Sequence, residues 1–243
     1  MDWPKAKNIL IVALLATNLF LLWSIFFSHR SDVADVDLKE QTAAVLQENG
    51  ISLYCEIPTG PEKIAVLSVF YDDNTGIFEY DPPEGPSTPA LSEETAQQAA
   101  SEFLQEKGLM TDTTLFSSVT VSSFAENAYD VRYENRIEDI EIEGSYMVCT
   151  VTSQGIIRME RHWLLPDQYG KNKGTLSSAS AALLSFLASL PEGTQKSVTD
   201  ISLVYKLDSP YSEISETFAD TAFPAWRITT SDGDTFYASA LER

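Results

Sequence analysis

The sequence predicts an α+β fold: an N-terminal transmembrane helix followed by an extracytoplasmic domain of repeated helix-plus-antiparallel-sheet units. Three observations predict it. Asn8 to Ser28 contains no Asp, Glu, Lys or Arg. An amphipathic helical pattern built on Ala96, Ala99, Ala100, Phe103 and Leu104 recurs 83 residues later as Ala179, Ala182, Leu183, Phe186 and Leu187. Each pattern is followed by short alternating runs of β-branched and aromatic residues, separated by turn residues.

As a helix rising 1.5 Å per residue, Asn8 to Ser28 covers roughly 30 Å, the thickness of a hydrocarbon core. Lys5 and Lys7 precede it, whereas Asp32, Asp35 and Asp37 follow, an asymmetry that keeps the N-terminus in the cytoplasm. Trp3 and Trp23 sit toward the two ends, where indoles favour the interface. A removed signal peptide is the alternative, but Phe26/Ser28 and Asp32/Ala34 do not supply the small residues that cleavage needs. The expectation is a retained single-pass anchor at 8–28, a cytoplasmic tail at 1–7, a stalk at 29–36 and everything later outside the cytoplasm.

Three α+β units are expected beyond the stalk, at 37–90, 91–174 and 175–243. In the first, Asp37 caps a helix from Leu38 to Asn49 that Gly50 stops. Ile51–Ile57 alternates as a strand and Lys63–Tyr71 forms a second. Asp72-Asp73-Asn74-Thr75-Gly76 reads as a hairpin turn into Ile77–Tyr80; it lacks the ligand spacing of a calcium loop. In the second, Ser92 opens a helix to about Lys107, with Gly108 after it. Strands follow near 115–124, 129–134, 145–152 and 156–164, with Ser153-Gln154-Gly155 turning between the last two. Pro166–Gly174 reads as a polar linker. In the third, a helix starts near Ser177, and strands follow at 201–207, 212–218, 225–230 and 235–240. Asp232-Gly233 is a type I′ hairpin signal, and Trp226 is expected to pack on the Phe186/Leu187 helix face.

Beyond residue 7 the chain carries 35 acidic and 14 basic residues. That balance repels nucleic acid and anionic headgroups, so neither is a partner of the domain. With 44% hydrophobic residues the domain can fill a core. Cys55 and Cys149 occupy apolar positions of alternating strands, as buried thiols do; a disulfide between them stays open.

No catalytic motif is present. G-x-S-x-G, H-E-x-x-H, C-x-x-C and a phosphate-binding glycine loop are all missing. His29 belongs to the anchor flank, and His162 shares a solvated strand face with Arg158 and Glu160. The pairs Glu138/Asp139 and Glu141/Glu143 are the acid–base candidates, but proximity in so acidic a sequence carries little information. The expectation is a protein that is not an enzyme and uses no cofactor or metal.

Two stretches at opposite ends carry a resemblance. Met1-Asp2-Trp3-Pro4-Lys5-Ala6-Lys7, running into the anchor, is similar to the opening of YycI-type regulatory proteins. Phe223-Pro224-Ala225-Trp226-Arg227-Ile228, with Tyr237-Ala238 one hairpin later, resembles the closing pattern of the YycH/YycI family. Tyr129 to Asn135 and Gly155-Ile156-Ile157 are similar to its central strands, which PepSY-like modules share. The resemblance implies a single-pass protein that associates with a YycH-like partner and an essential sensor histidine kinase (WalK, also called YycG), adjusting cell-wall metabolism through it. The anchor fits such a role: Asn18 beside Thr17, with Ala13 four residues before Thr17, suits a helix–helix contact in the bilayer. The alternative is a PepSY-type inhibitor or binding module acting on a secreted hydrolase.

Overall fold

The computed structural model describes Leu14, Thr17, Asn18 and residues 38–81, 91–207 and 220–241. Among the described residues the folded domain has three helical stretches. The first, α1, covers 38–48 and buries Thr42 and Leu46, while Leu38 and Val45 stay exposed. Gly50 follows at φ +83°, the left-handed conformation that ends a helix. The second, α2 (Glu93–Glu106), starts from a capping box in which the Ser92 side chain accepts from Thr95 N and the Thr95 side chain meets the Ser92 backbone. It buries Ala96, Ala100 and Leu104. The third, α3 (Ala179–Ser189), is capped by Ser178 and buries Ala182, Leu183 and Phe186.

The strands are β1 (Ile51–Leu53), β2 (Lys63–Ile64), β3 (Leu67–Tyr71) and β4 (Gly76–Glu79), then β5 (Thr114–Val121), β6 (Tyr129–Ile137) and β7 (Ile140–Thr152). After them come β8 (Gly155–His162), β9 (Leu164–Tyr169), β10 (Gly174–Thr175), β11 (Lys196–Leu207), β12 (Asp220–Thr230) and β13 (Thr235–Ser239). Among the described residues, eleven of them form one mixed sheet whose main path runs β4-β8-β7-β11-β12-β3-β9. Strands β5 and β6 extend it beyond β7, β1 joins β11 and β13 joins β12, while β2 and β10 pair separately.

This architecture corrects the expected fold class. Independent helix-plus-antiparallel-sheet units do not form, because strands of the first segment pair with later ones. Strand β1 lies parallel to β11, β3 joins β12 and β9, and β4 joins β8. Asp72–Gly76 therefore makes a local turn, with Asn74 N donating to Asp72 Oδ1 at 2.9 Å, yet β3 and β4 diverge from it instead of closing a hairpin. Much of the expected 166–174 linker is strand as well: β9 carries Pro166 on the edge of the sheet, where a missing N–H is tolerated. The expected strand at 212–218 lies outside the described residues.

The N-terminal transmembrane helix and the single-pass membrane localisation built on it are corrected too. Among the described residues no helix is long and apolar enough to cross a membrane. The longest domain helix, α2, has 14 residues and would cover only about 21 Å, with four glutamates along it. Apart from Leu14, Thr17 and Asn18, the 8–28 stretch lies outside the described residues, as do the tail and the stalk.

The long strand β7 joins the two halves of the sheet. Its C-terminal part pairs with β8, and its start pairs in parallel with β11 through Glu141 and Ile142. Between these parts the β6/β7 register shifts. Buried Asn135 pins the irregularity, donating to Ser145 Oγ at 3.0 Å and Leu164 O at 2.6 Å. In β12, Pro224 sits where the neighbouring strand changes from β3 to β13, so no ladder bond is lost there.

One side of the sheet meets the helices. Val131, Tyr133, Met147, Cys149 and Met159 form a core with α2. Val198, Ile201, Trp226 and Ile228 form another with α1 and α3. A third cluster of Leu67, Val69, Ile142, Leu164 and Tyr205 fills the junction. Registers carry the opposite side through as one face: Arg136 pairs with Glu141, Glu141 with Val204, and Ser202 with Arg227.

Candidate functional site

The face away from the helices carries two groups of organised polar side chains. Alternation along β6, β7 and β8 puts Arg132, Glu134, Tyr146, Arg158, Glu160 and His162 there, while the residues between them enter the α2 core. Tyr146 Oη donates to Glu160 Oε1 at 2.7 Å, and Arg158 Nη2 donates to Glu160 Oε2 at 2.8 Å. These bonds hold the Glu160 carboxyl below its usual range, the Tyr146 bond first, against the opposing effect of burial. The Arg132 guanidinium stacks 4.2 Å from the Tyr146 ring centre. The Tyr146 and His162 rings lie 5.1 Å apart, and His162 Nε2 is 3.7 Å from Glu160 Oε1.

Further along the same face Arg227 reaches two carboxylates. Its Nη2 is 2.9 Å from Glu141 Oε2, its Nη1 donates to Glu143 Oε2 at 2.9 Å, and its Nε donates to Ser202 Oγ at 3.2 Å. Burial would lower the guanidinium's pKa, but the two carboxylates outweigh it and the net shift is upward. Tyr237, opposite Arg227 on β13, is pushed up to about 12 by burial, with the Glu143 charge adding. Lys206 lies 5.2 Å from the Tyr237 ring centre.

Of the two carboxylate pairs read from the sequence, Glu141 and Glu143 are brought together, with Arg227 between them. Glu138 and Asp139 form the turn joining β6 to β7, both at positive φ. His162 shares its face with Arg158 and Glu160, as the alternation predicts. Among the expected helix–helix contact residues, Ala13 lies outside the described residues, and Thr17 and Asn18 are helical and exposed. Sequence reasoning missed Arg227 as an ionic centre and Arg161 as a buried one. Arg161 alternates in phase with core residues Met159 and Trp163, and a charge in phase with a core stripe is the signal that marks it.

A general acid or base needs a pKa near the working pH. Glu160 is shifted away from that range. Among the described residues no group of three or more His, Cys, Asp and Glu side chains is placed to hold a metal ion. The arrangement suits recognition of another charged surface, because paired charges fix register and partner choice.

No family model matches the chain, and no curated protein matches it. Among solved structures the chain is similar to an uncharacterized protein from Eubacterium rectale ATCC 33656, at 13% identity and a TM-score of 0.41. The similarity covers 65% of this chain and 54% of that one, so it spans about half of that protein's length.

Proposed function

We propose that this chain is a non-enzymatic regulator that works by protein–protein contact. Its partner would be a sensor histidine kinase of the kind that YycI- and YycH-type proteins modulate, with cell-wall metabolism downstream. The observation that carries this reading is the broad polar sheet face, whose carboxylates Glu141, Glu143 and Glu160 are each engaged by an arginine. Such a face offers charge complementarity to a partner surface. The terminal sequence patterns supply the kinase. The contact is assigned to the sheet domain, not to a membrane helix.

The test is co-expression of the tagged full chain with the kinase, followed by crosslinking and recovery, with a reporter for the kinase's target promoter. Recovery of the kinase, reduced by Arg158→Glu at an unchanged melting temperature, supports the reading. Failure to recover the kinase with folded protein present, or a reporter indifferent to deletion of the chain, overturns it.

A further inference from the structure

The sheet has a slot in it. Strand β12 covers one edge of β11 almost throughout, from Val198 to Leu207. On the other edge β1 pairs only with Lys196–Val198, ending where Tyr54 N donates to Val198 O at 2.9 Å. Strand β7 takes up that edge again only at Val204 and Tyr205. Between them, among the described residues, Asp200 to Leu203 face no strand, over roughly 13 Å of backbone at the usual rise. A cleft of about 320 Å³ occupies the interval, with Ile201, Ser202 and Leu203 on one wall.

The chain's own composition keeps the slot open. After β1 it passes the gap as Pro58-Thr59-Gly60-Pro61, which forms the facing wall. Two prolines so close together remove the donors a ladder needs, so this segment cannot zip onto β11. At the slot's mouth Glu138 and Asp139 hold φ of 50° and 66°. A two-residue hairpin turn of this kind normally uses Asn or Gly, and strained non-glycine residues are retained where they serve a site. Glu138, Asp139 and Glu141 all line the cleft. Arg136, which lines it too, has Nη2 3.5 Å from Glu134 Oε2, while its Nη1 donates to Asp139 O at 3.5 Å, so its charge is directed to Glu134 and to the turn's backbone and not to the Glu138 and Asp139 carboxylates.

We propose that the slot takes a short extended segment of a protein partner, added as a strand to β11 with a Lys or Arg side chain directed to Glu138 and Asp139. Backbone groups of β11 would supply affinity and the acidic mouth specificity, the division of labour found in strand addition. The mouth's charge selects a basic segment, and a formal net charge of −20 disfavours a second copy of this chain. This deepens the protein-contact reading and rests on it.

The probe is the peptide Ac-Lys-Val-Lys-amide, about 10 Å long when extended and so short enough for the slot, titrated to millimolar concentration into the isotope-labelled full chain and followed by NMR and amide exchange. The Lys peptide is expected to shift the Ile201 and Leu203 amides and slow their exchange by about tenfold, as newly bonded amides do. The Glu counterpart and a Lys peptide N-methylated at its central Val should do neither. Paired Glu138→Lys and Asp139→Lys substitutions should transfer the response to the Glu peptide. The proposal is overturned if Ile201 and Leu203 already exchange as slowly as Tyr205 in the free chain. Indifference to every peptide, or an equal response to the Lys, Glu and N-methylated forms, overturns it as well. A silent slot with the kinase still recovered condemns the slot alone; a responsive slot without kinase recovery condemns the kinase assignment alone.

Discussion

Arg161 and Asp72, 89 residues apart, form a salt bridge of 2.7 Å that fixes the crossover between the two halves of the sheet. The arginine is 2% exposed, and its Nη1 also donates to Asn74 O at 3.0 Å. Nearby, Asp72 N donates to Trp163 O at 3.0 Å. The turn is thus held from three directions while β3 and β4 leave it toward different partners.

Removing the arginine leaves a largely buried carboxylate without its cation. Arg161→Ala should destabilise the domain by about 3 kcal/mol, the scale for breaking a buried pair. Urea unfolding checks this, and an unchanged midpoint would show that the crossover holds without the ion pair.

The same pair sets an acid sensitivity. Burial alone would raise the Asp72 pKa, but the Arg161 hydrogen bond and the Asn74 amide outweigh it and hold the carboxyl below its ordinary 3.8. A folded-state pKa below the unfolded one contributes stability that is complete above 3.8 and lost as pH falls through the depressed value. Asp72→Asn should flatten this part of the stability profile, measured by urea midpoints from neutral pH down to about 2. A variant profile as steep as the parent's would assign the acid loss to other carboxylates.

Trp226 is 1% exposed, packs with Phe186 in the α3 core, and donates Nε1–H to Ser177 O at 2.8 Å. Trp226→Ala should cost about 3–5 kcal/mol through the cavity it leaves. Trp226→Phe keeps much of the ring but loses the hydrogen bond, so calorimetry should show a smaller drop. An equal loss in both variants would place the whole effect in the hydrogen bond.

Arg227 and Glu141 should behave as a unit. Arg227→Ala strands a carboxylate that is 7% exposed and should cost about 3–5 kcal/mol. In the Glu141→Gln background the same substitution should cost less, because the more buried of the two charges it would strand is gone and only the more exposed Glu143 loses its partner. A double-mutant cycle by chemical denaturation measures this coupling; strict additivity would show that the two side chains act independently.

The cysteines should stay reduced and slow. Cys149 lies in the α2 core, where burial pushes its thiol up to about 12, while half-buried Cys55 packs against the α3 core; both are free. A thiol reagent at neutral pH should leave Cys149 unmodified in the folded protein and titrate both thiols in guanidinium. Fast labelling of Cys149 would show that the α2 core opens on the timescale of the assay.

The local elements were legible because each has a short-range cause. The capping box at Ser92 and Thr95, the stop at Gly50 and the turn into β8 at Gly155 use only neighbouring residues. The apolar phase of α3 and the burial of Trp226 followed from periodicity. Strand partnership had no such local record. The turn between β3 and β4 is held by Arg161, 87 and 89 residues further along the chain, a contact with no local trace in the sequence. Likewise β7 and β11, which lie parallel, are not joined by any tight turn that a sequence pattern could reveal. Glu141, Glu143 and Arg227 looked like ordinary members of a charged surface until the two half-sheets met and gathered them on one face. The sequence by itself determined where α2 and α3 begin and which of their side chains face the core, since those choices concern capping and the period of apolar side chains; it did not determine that 166–169 extends as an edge strand or that the turn at 72–76 separates two strands instead of joining them. Only the tertiary structure decided which strands pair and which charges meet, because long-range pairing depends on packing and desolvation across the whole sheet.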